Sequence, residues 1–266
     1  MATLHPKKRF GQHFLKSKEI IKKIIELADP KSGDTIVEIG PGRGALTLPL
    51  ADSGARVVAV EFDRDMIDYI RKRLAGYSNL EVIGQNFLDF HPDHLGLSRF
   101  ILVGNLPFNI TSPVIDWITG YRHMIERSCL MVQREMAARM TATPGEKNWS
   151  PLSIFVQLYF DVKHEFDVSP ENFQPPPEVI SSVITLSPCR PMVIEDPDRF
   201  EKVVRTSFKH RRKLLLNNLV PEIIPRPETA REIFDRLGWP ANIRAEELST
   251  AQFLTLTEKI IAYKIL

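Results

Sequence analysis

The stretch that most constrains this chain is residues 37–44, Val37-Glu38-Ile39-Gly40-Pro41-Gly42-Arg43-Gly44. Apolar, β-favouring residues from Thr35 to Ile39 predict a buried strand, and the glycines after it predict a turn into a helix that starts near Ala45. Three glycines within five positions permit backbone angles closed to other residues and let main-chain N–H groups approach a ligand. The helix N-terminus beyond them adds a partial positive field. A second apolar run, residues 56–60, ends at Glu61, about 20 residues after the first glycine. At that distance a nucleotide-binding βαβ unit presents an acid to the two ribose hydroxyls. This pair of features fits three readings: a methyl-donor nucleoside site, a dinucleotide site (Gly40-Pro41-Gly42-Arg43-Gly44-Ala45 meets that looser pattern too), and a tight αβ turn without a ligand.

The periodicity repeats along the chain. Ser17 can cap a helix over residues 18–28, whose Ile20, Ile21, Ile24, Ile25 and Leu27 form an apolar side. Helix 64–74, strand 80–83 and strand 100–103 follow. Then come a helical stretch from 112 toward Cys129, strand 128–133, helix 135–140, an apolar core run at 153–160 and strand 179–186. This alternation predicts an α/β, Rossmann-like, mostly parallel sheet covered on both faces, with binding loops at the carboxyl ends of its strands. Gly40, Glu61, Asn86 and Asn105 are therefore expected to converge. The sequence Ser187-Pro188-Cys189-Arg190-Pro191 marks a boundary, giving a domain at 1–187 with a basic N-terminal arm and a small helical domain at 188–266. Its helices are expected near 197–218, 227–237 and 245–264.

Charge and cysteine content narrow the class of partner. Across 266 residues the net charge is only +2, so nothing global demands a polyanion. Residues 7–23 and 199–213 are locally rich in Lys and Arg, and in the second region a basic side adjoins an apolar one. That pattern suits phosphate-backbone contact as well as a plain solvated helix face. Two cysteines fit neither a disulfide-rich scaffold nor a four-ligand zinc site. No run approaches 18 apolar residues, so the expectation is a soluble cytoplasmic protein with no membrane association.

Asn105-Leu106-Pro107-Phe108 follows strand 100–103 directly and lies on the expected ligand rim. Asn105 can accept a hydrogen bond through its amide oxygen, Pro107 has no N–H to donate, and Phe108 offers an aromatic face. These parts suit a flipped adenine, whose exocyclic amine needs acceptors while its ring needs stacking, and they also fit an Asn-capped turn with Phe108 buried in the core. The amine's lone pair is delocalised into the ring, and acceptance by Asn105 and the Leu106 carbonyl would favour a more pyramidal nitrogen aimed at an electrophilic methyl group.

With that loop the chain resembles the adenine amino-methyltransferases that use S-adenosylmethionine. The longer stretch Gly104-Asn105-Leu106-Pro107-Phe108-Asn109-Ile110-Thr111-Ser112-Pro113 is similar to the ribosomal RNA adenine dimethylase family. So are Arg9-Phe10-Gly11-Gln12-His13-Phe14-Leu15, residues 37–44, Gln133-Arg134-Glu135 and Phe173-Gln174-Pro175-Pro176-Pro177-Glu178-Val179. Arg211-Arg212-Lys213 extends the likeness into the tail. The resemblance implies S-adenosylmethionine as cofactor, held by Gln12, His13, Leu15, Gly40, Gly42, Glu61, Asn86 and Asn105, with Asn105, Leu106, Pro107 and Phe108 at the reacting base. It implies RNA contact by Arg211, Arg212 and Lys213, and as substrate two adjacent adenosines near the 3′ end of small-subunit ribosomal RNA in the immature subunit. No metal and no dedicated protein partner are implied. The chain departs from the family pattern at Asn86, usually aspartate, at His13, commonly asparagine, and at Phe108, more often tyrosine. His13 carries no catalytic role by this likeness.

Overall fold

The computed structural model describes residues 12–190 and 192–263. The Lys/Arg residues of the arm before Gln12, including Arg9 of the arm motif, lie outside the described residues. The chain separates into two compact units, one of residues 1–137 and 160–188, the other of 138–159 and 189–266. The expected contiguous division at 187/188 is corrected: the second unit takes an additional segment from within the first.

The first unit opens with β1 (Phe14–Leu15) and α1 (Lys18–Ala28). Ser17 caps α1 by accepting from the Ile20 N–H, and Ile24 and Ala28 are buried. There follow β2 (Thr35–Ile39), α2 (Thr47–Asp52), β3 (Arg56–Glu61), α3 (Arg64–Arg73), β4 (Leu80–Gly84), β5 (Phe100–Asn105), α4 (Thr111–Gly120), β6 (Ile125–Gln133) and α5 (Arg134–Met140). After an excursion into the second unit, the chain returns as β7 (Phe160–Val168), β8 (Phe173–Gln174) and β9 (Ser181–Pro188). Seven strands form one sheet in the order β4-β3-β2-β5-β6-β9-β7. β9 pairs antiparallel with both β6 and β7 while the remaining pairs are parallel, so β9 alone runs against the other six. The chain leaves β2 toward β3 and β4, then crosses back to β5 on β2's other side. Ligands bind where strand order reverses in this way, outside the carboxyl ends of the strands.

Three local expectations need correction. α2 begins at Thr47 instead of near Ala45, because Gly40, Gly42 and Gly44 all adopt positive φ and prolong the turn. α4 stops at Gly120, and β6 already begins at Ile125 where a helical continuation was expected. β5 extends through Gly104 and Asn105, making Asn105 the last residue of a strand instead of the first of a loop.

The second unit contains α6 (Pro151–Gln157), α7 (Pro197–Ser207), α8 (Leu215–Leu219), α9 (Pro227–Leu237) and α10 (Thr250–Ala262). Trp149, Ile154 and Leu158 pack with Phe200, Leu219, Phe234 and Phe253 in its core. The expected helix at 197–218 is broken. Asn218, 4% exposed, accepts from the His210 N–H and donates to the carbonyls of Ser207 and His210. Those bonds hold residues 208–214 as turns, so Arg211, Arg212 and Lys213 stand on a connection between α7 and α8 and not on a helix face.

Candidate active site

The β2–β5 contact sets the floor of the site. Ile39 pairs with Gly104, and a Cβ on Gly104 would lie 2.9 Å from Ile39 Cβ and 3.2 Å from its carbonyl oxygen. Glycine at 104 thus allows the two strands to approach and brings the glycine turn beside Asn105. Gly40 and Gly42 line the resulting cavity of about 320 Å³, together with Gln12, His13, Leu15, Glu61, Asn86, Asn105, Leu106, Pro107 and Phe108. Every cofactor or base residue expected from the sequence is therefore gathered around one space. At Gly40, φ is +59° and nothing lies within 4 Å of where a Cβ would stand, whereas at Gly42 a Cβ would meet the Phe14 ring at 3.0 Å.

Glu61 ends β3 at the cavity with 8% exposure. It accepts from the backbone N–H groups of Gly42 (3.2 Å), Phe62 (2.8 Å) and Asp63 (2.9 Å). Burial raises its pKa, and those three donors oppose the rise. Asp63 caps α3 by accepting from the Asp65 N–H and also accepts from Gln12 Nε2 at 3.0 Å, so Gln12 is held against the strand end that carries Glu61.

The wall opposite is assembled from segments far apart in sequence. β1 pairs antiparallel with β8 through Phe14↔Gln174 and Leu15↔Phe173, joining the arm motif to the proline-rich motif. His13 Nδ1 lies 2.9 Å from the Pro175 carbonyl. Because a carbonyl can only accept, Nδ1 carries the proton. The same imidazole stacks on Phe108, with ring centroids 5.8 Å apart and planes at 29°, and the His13 carbonyl accepts from Asn105 Nδ2 at 3.0 Å. That bond fixes the orientation of the Asn105 amide and leaves Oδ1, an acceptor, for the cavity.

Asn86 lines the cavity, and its Oδ1 also accepts from the Leu88 N–H at 3.2 Å, capping a short 3₁₀ turn at Phe87–Asp89. The expected contact from Asn86 oxygen to a cofactor amine would have to use that oxygen's second lone pair. Arg211 departs further from expectation. Its Nε lies 3.1 Å from Glu246 Oε2 and its guanidinium also donates to the Lys147 carbonyl, so its charge is engaged within the second unit. Arg212 and Lys213 are exposed and make no ion pair among the described residues.

Sequence reading missed two contributors. Phe62, 61% exposed beside Glu61, lines the cavity with an aromatic side chain, and its position directly after the expected ribose acid was the available signal. Glu38 is 2% exposed within β2, lines the cavity, and has no hydrogen-bond partner for Oε2 among the described residues. Burial, with the Glu61 charge adding to it and Thr47 opposing, pushes its carboxyl up to about 8. Its place inside a strand pattern concealed it.

The residues present fit a nucleoside cofactor that carries positive charge. Glycines leave room for it, Glu61 can accept from ribose hydroxyls, and a buried carboxyl oxygen awaits a partner. Fold and site together define a Rossmann-like methyltransferase that uses S-adenosylmethionine. Residues 4–262 match the family described as ribosomal RNA adenine dimethylase. Ribosomal RNA small subunit methyltransferase A of Thermosynechococcus vestitus is 40% identical over 261 residues, spanning 96% of this chain and 97% of the relative. Its counterpart in Xylella fastidiosa is 38% identical over 255 residues, spanning 94% of each. The crystal structure of a dimethyladenosine transferase from Plasmodium falciparum superposes with a TM-score of 0.83 at 29% identity, covering 95% of this chain and 99% of that one. The 23S rRNA methyltransferase ErmE gives 0.74 at 27% identity, covering 93% and 99%. The chain belongs to the ribosomal RNA adenine dimethylase family, whose enzymes methylate adenine in ribosomal RNA with S-adenosylmethionine.

Proposed function

We propose that this protein dimethylates the N6 atoms of two adjacent adenosines near the 3′ end of small-subunit ribosomal RNA, acting on immature small subunits in the cytoplasm. The observation that carries the reading is the Asn105 amide, which donates to the His13 carbonyl and so offers its oxygen to the cavity beside the Phe108 ring. An adenine placed there stacks on Phe108 and donates its amine hydrogens to Asn105 Oδ1 and the Leu106 carbonyl, which frees the nitrogen lone pair for attack. Glu61 would hold the ribose of the cofactor, Phe62 and Asn86 would lie beside its base, and Gly40 and Gly42 would leave room for its amino-acid end. Bound S-adenosylmethionine supplies a methyl carbon already activated by the sulfonium charge. The chain's share of catalysis is then alignment and electrostatics, with no covalent enzyme intermediate. Arg212 and Lys213 in the second unit contact the RNA backbone, with Arg211 contributing less because it is paired. The relatives at 38–40% identity, named for the small subunit, support this choice of RNA over the large-subunit target. No described helix is long and apolar enough to cross a membrane.

The test is methyl transfer to unmethylated small subunits with large-subunit RNA as competitor, the modified adenosines being mapped by mass spectrometry. Dimethylated small-subunit adenosines are expected, with transfer strongly reduced in Asn105→Ala and Phe108→Ala. Product confined to large-subunit RNA would overturn the substrate, and undiminished transfer by both variants would overturn the role given to this loop.

A further inference from the structure

Glu38 stands apart from the other groups of the site. Glu61 is satisfied by three backbone N–H groups and Asp63 by the cap of α3 and Gln12. Glu38 lies deeper, on β2 itself, with Oε2 bare of hydrogen bonds among the described residues although the residue borders the cavity. Thr47 hydrogen-bonds the Glu38 carboxyl, but a buried carboxyl oxygen left without a partner is costly. What enters the cavity can relieve that cost at Oε2.

From this placement we propose that binding of the cationic cofactor is coupled to ionisation of Glu38: the empty site holds Glu38 as the neutral acid, and the carboxyl gives up its proton to solvent as positive charge arrives. The inference rests on the cofactor assignment made above. One O–H bond breaks, the proton goes to buffer, and the carboxylate remains as counter-charge to the cofactor. The sign follows from burial, which favours the neutral acid in the free protein up to a pH of about 8, while a nearby positive charge favours the carboxylate. Net proton release therefore makes affinity rise with pH below about 8 and level off above it. The other titratable or charged side chains around the cavity are Glu61 at the end of β3, Asp63 at the start of α3, Arg43 in the glycine turn and His13 before β1. Glu61 is the one whose charge bears directly on Glu38.

The experiment is calorimetric titration of the full chain with S-adenosylmethionine at pH 7 in buffers of differing ionisation enthalpy, which reads protons exchanged per ligand bound. About one proton should be released by the unaltered protein, and Kd should fall about tenfold per pH unit between 6 and 7. In Glu38→Gln the release should vanish and the Kd profile should flatten, with the ligand's own titration and that of the other cavity groups left as the remainder. The uncharged nucleoside 5′-methylthioadenosine, titrated into unaltered protein, should bind with little proton release, which keeps the test valid even if the variant fails to fold. Saturable S-adenosylmethionine binding without proton release, or equal release with 5′-methylthioadenosine, overturns the inference while leaving the cofactor assignment intact. Absence of saturable S-adenosylmethionine binding overturns both.

Discussion

Replacing Gly104 by alanine tests whether the approach of β2 to β5 positions the site. Gly104 lies outside the left-handed region of backbone space, so alanine brings no dihedral penalty, and any effect must come from space. The added methyl would stand 2.9 Å from Ile39 Cβ and 3.2 Å from the Ile39 carbonyl oxygen. Neither atom is the loose end of a flexible side chain. Both belong to a buried strand residue paired with its neighbours on either side. Relief requires the strands to part by a few tenths of an ångström at the Ile39↔Gly104 pair, one residue from Asn105 and one from Gly40. Overpacking of this kind costs about 1–3 kcal/mol, and for a domain of this size the middle of that range lowers Tm by about 4–8 °C. Thermal unfolding and single-turnover methyl transfer should be measured together, with Gly76→Ala as control, since nothing lies within 4 Å of a Cβ at Gly76. The expected result is a lowered Tm and slowed transfer in Gly104→Ala only. A protein that keeps both the parent Tm and the parent rate would show that this close approach is not what places Asn105.

Asn86→Asp should bind S-adenosylmethionine at least as tightly as the parent, because one carboxylate oxygen can keep the Leu88 N–H while the other faces the cavity. Asn86→Leu should weaken binding by about 1–3 kcal/mol, both differences being read by calorimetry. Neutralising Arg212 and Lys213 to glutamine should weaken small-subunit binding and reduce its salt slope by about 1–2. Arg211→Gln should change that slope less, because Arg211 is already paired with Glu246. Filter binding across a potassium chloride series distinguishes the two.

Much of this architecture was legible because several elements carry their own boundary signals. α1 has Ser17 before it and an unbroken apolar side, and it runs over the residues expected. The glycine turn and Glu61 were readable because their spacing follows from the βαβ geometry that brings them together. β7 was missed although Phe160, Val162, Phe166 and Val168 alternate with charged residues: His164 interrupts that alternation midway, and Asp161, Lys163, Glu165 and Asp167 give the segment the polarity of an edge strand. The break between α7 and α8 was equally hidden, since it depends on the buried side chain of Asn218 bonding back across eight to eleven residues, a long-range effect that a helical window does not register. Among site residues, Glu38 escaped for a related reason. A strand pattern tells that the residue is inside but not that one carboxyl oxygen there lacks a donor.

The excursion of residues 138–159 bears on how the two units can be separated. Trp149 donates its indole N–H to the Leu248 carbonyl at 2.9 Å, the Gly145 N–H bonds to the Glu246 carbonyl at 2.7 Å, and Ile154 and Leu158 belong to the same core as Phe200 and Phe253. A chain stopped at Pro188 would keep those apolar side chains while losing what they pack against, and a chain begun at Cys189 would lack part of its own interior. The helical unit is therefore not a detachable tail. Exchanging it between relatives requires two coordinated replacements, one of them inserted between α5 and β7, so recombination at a single crossover carries a penalty that the linear order of the sequence conceals.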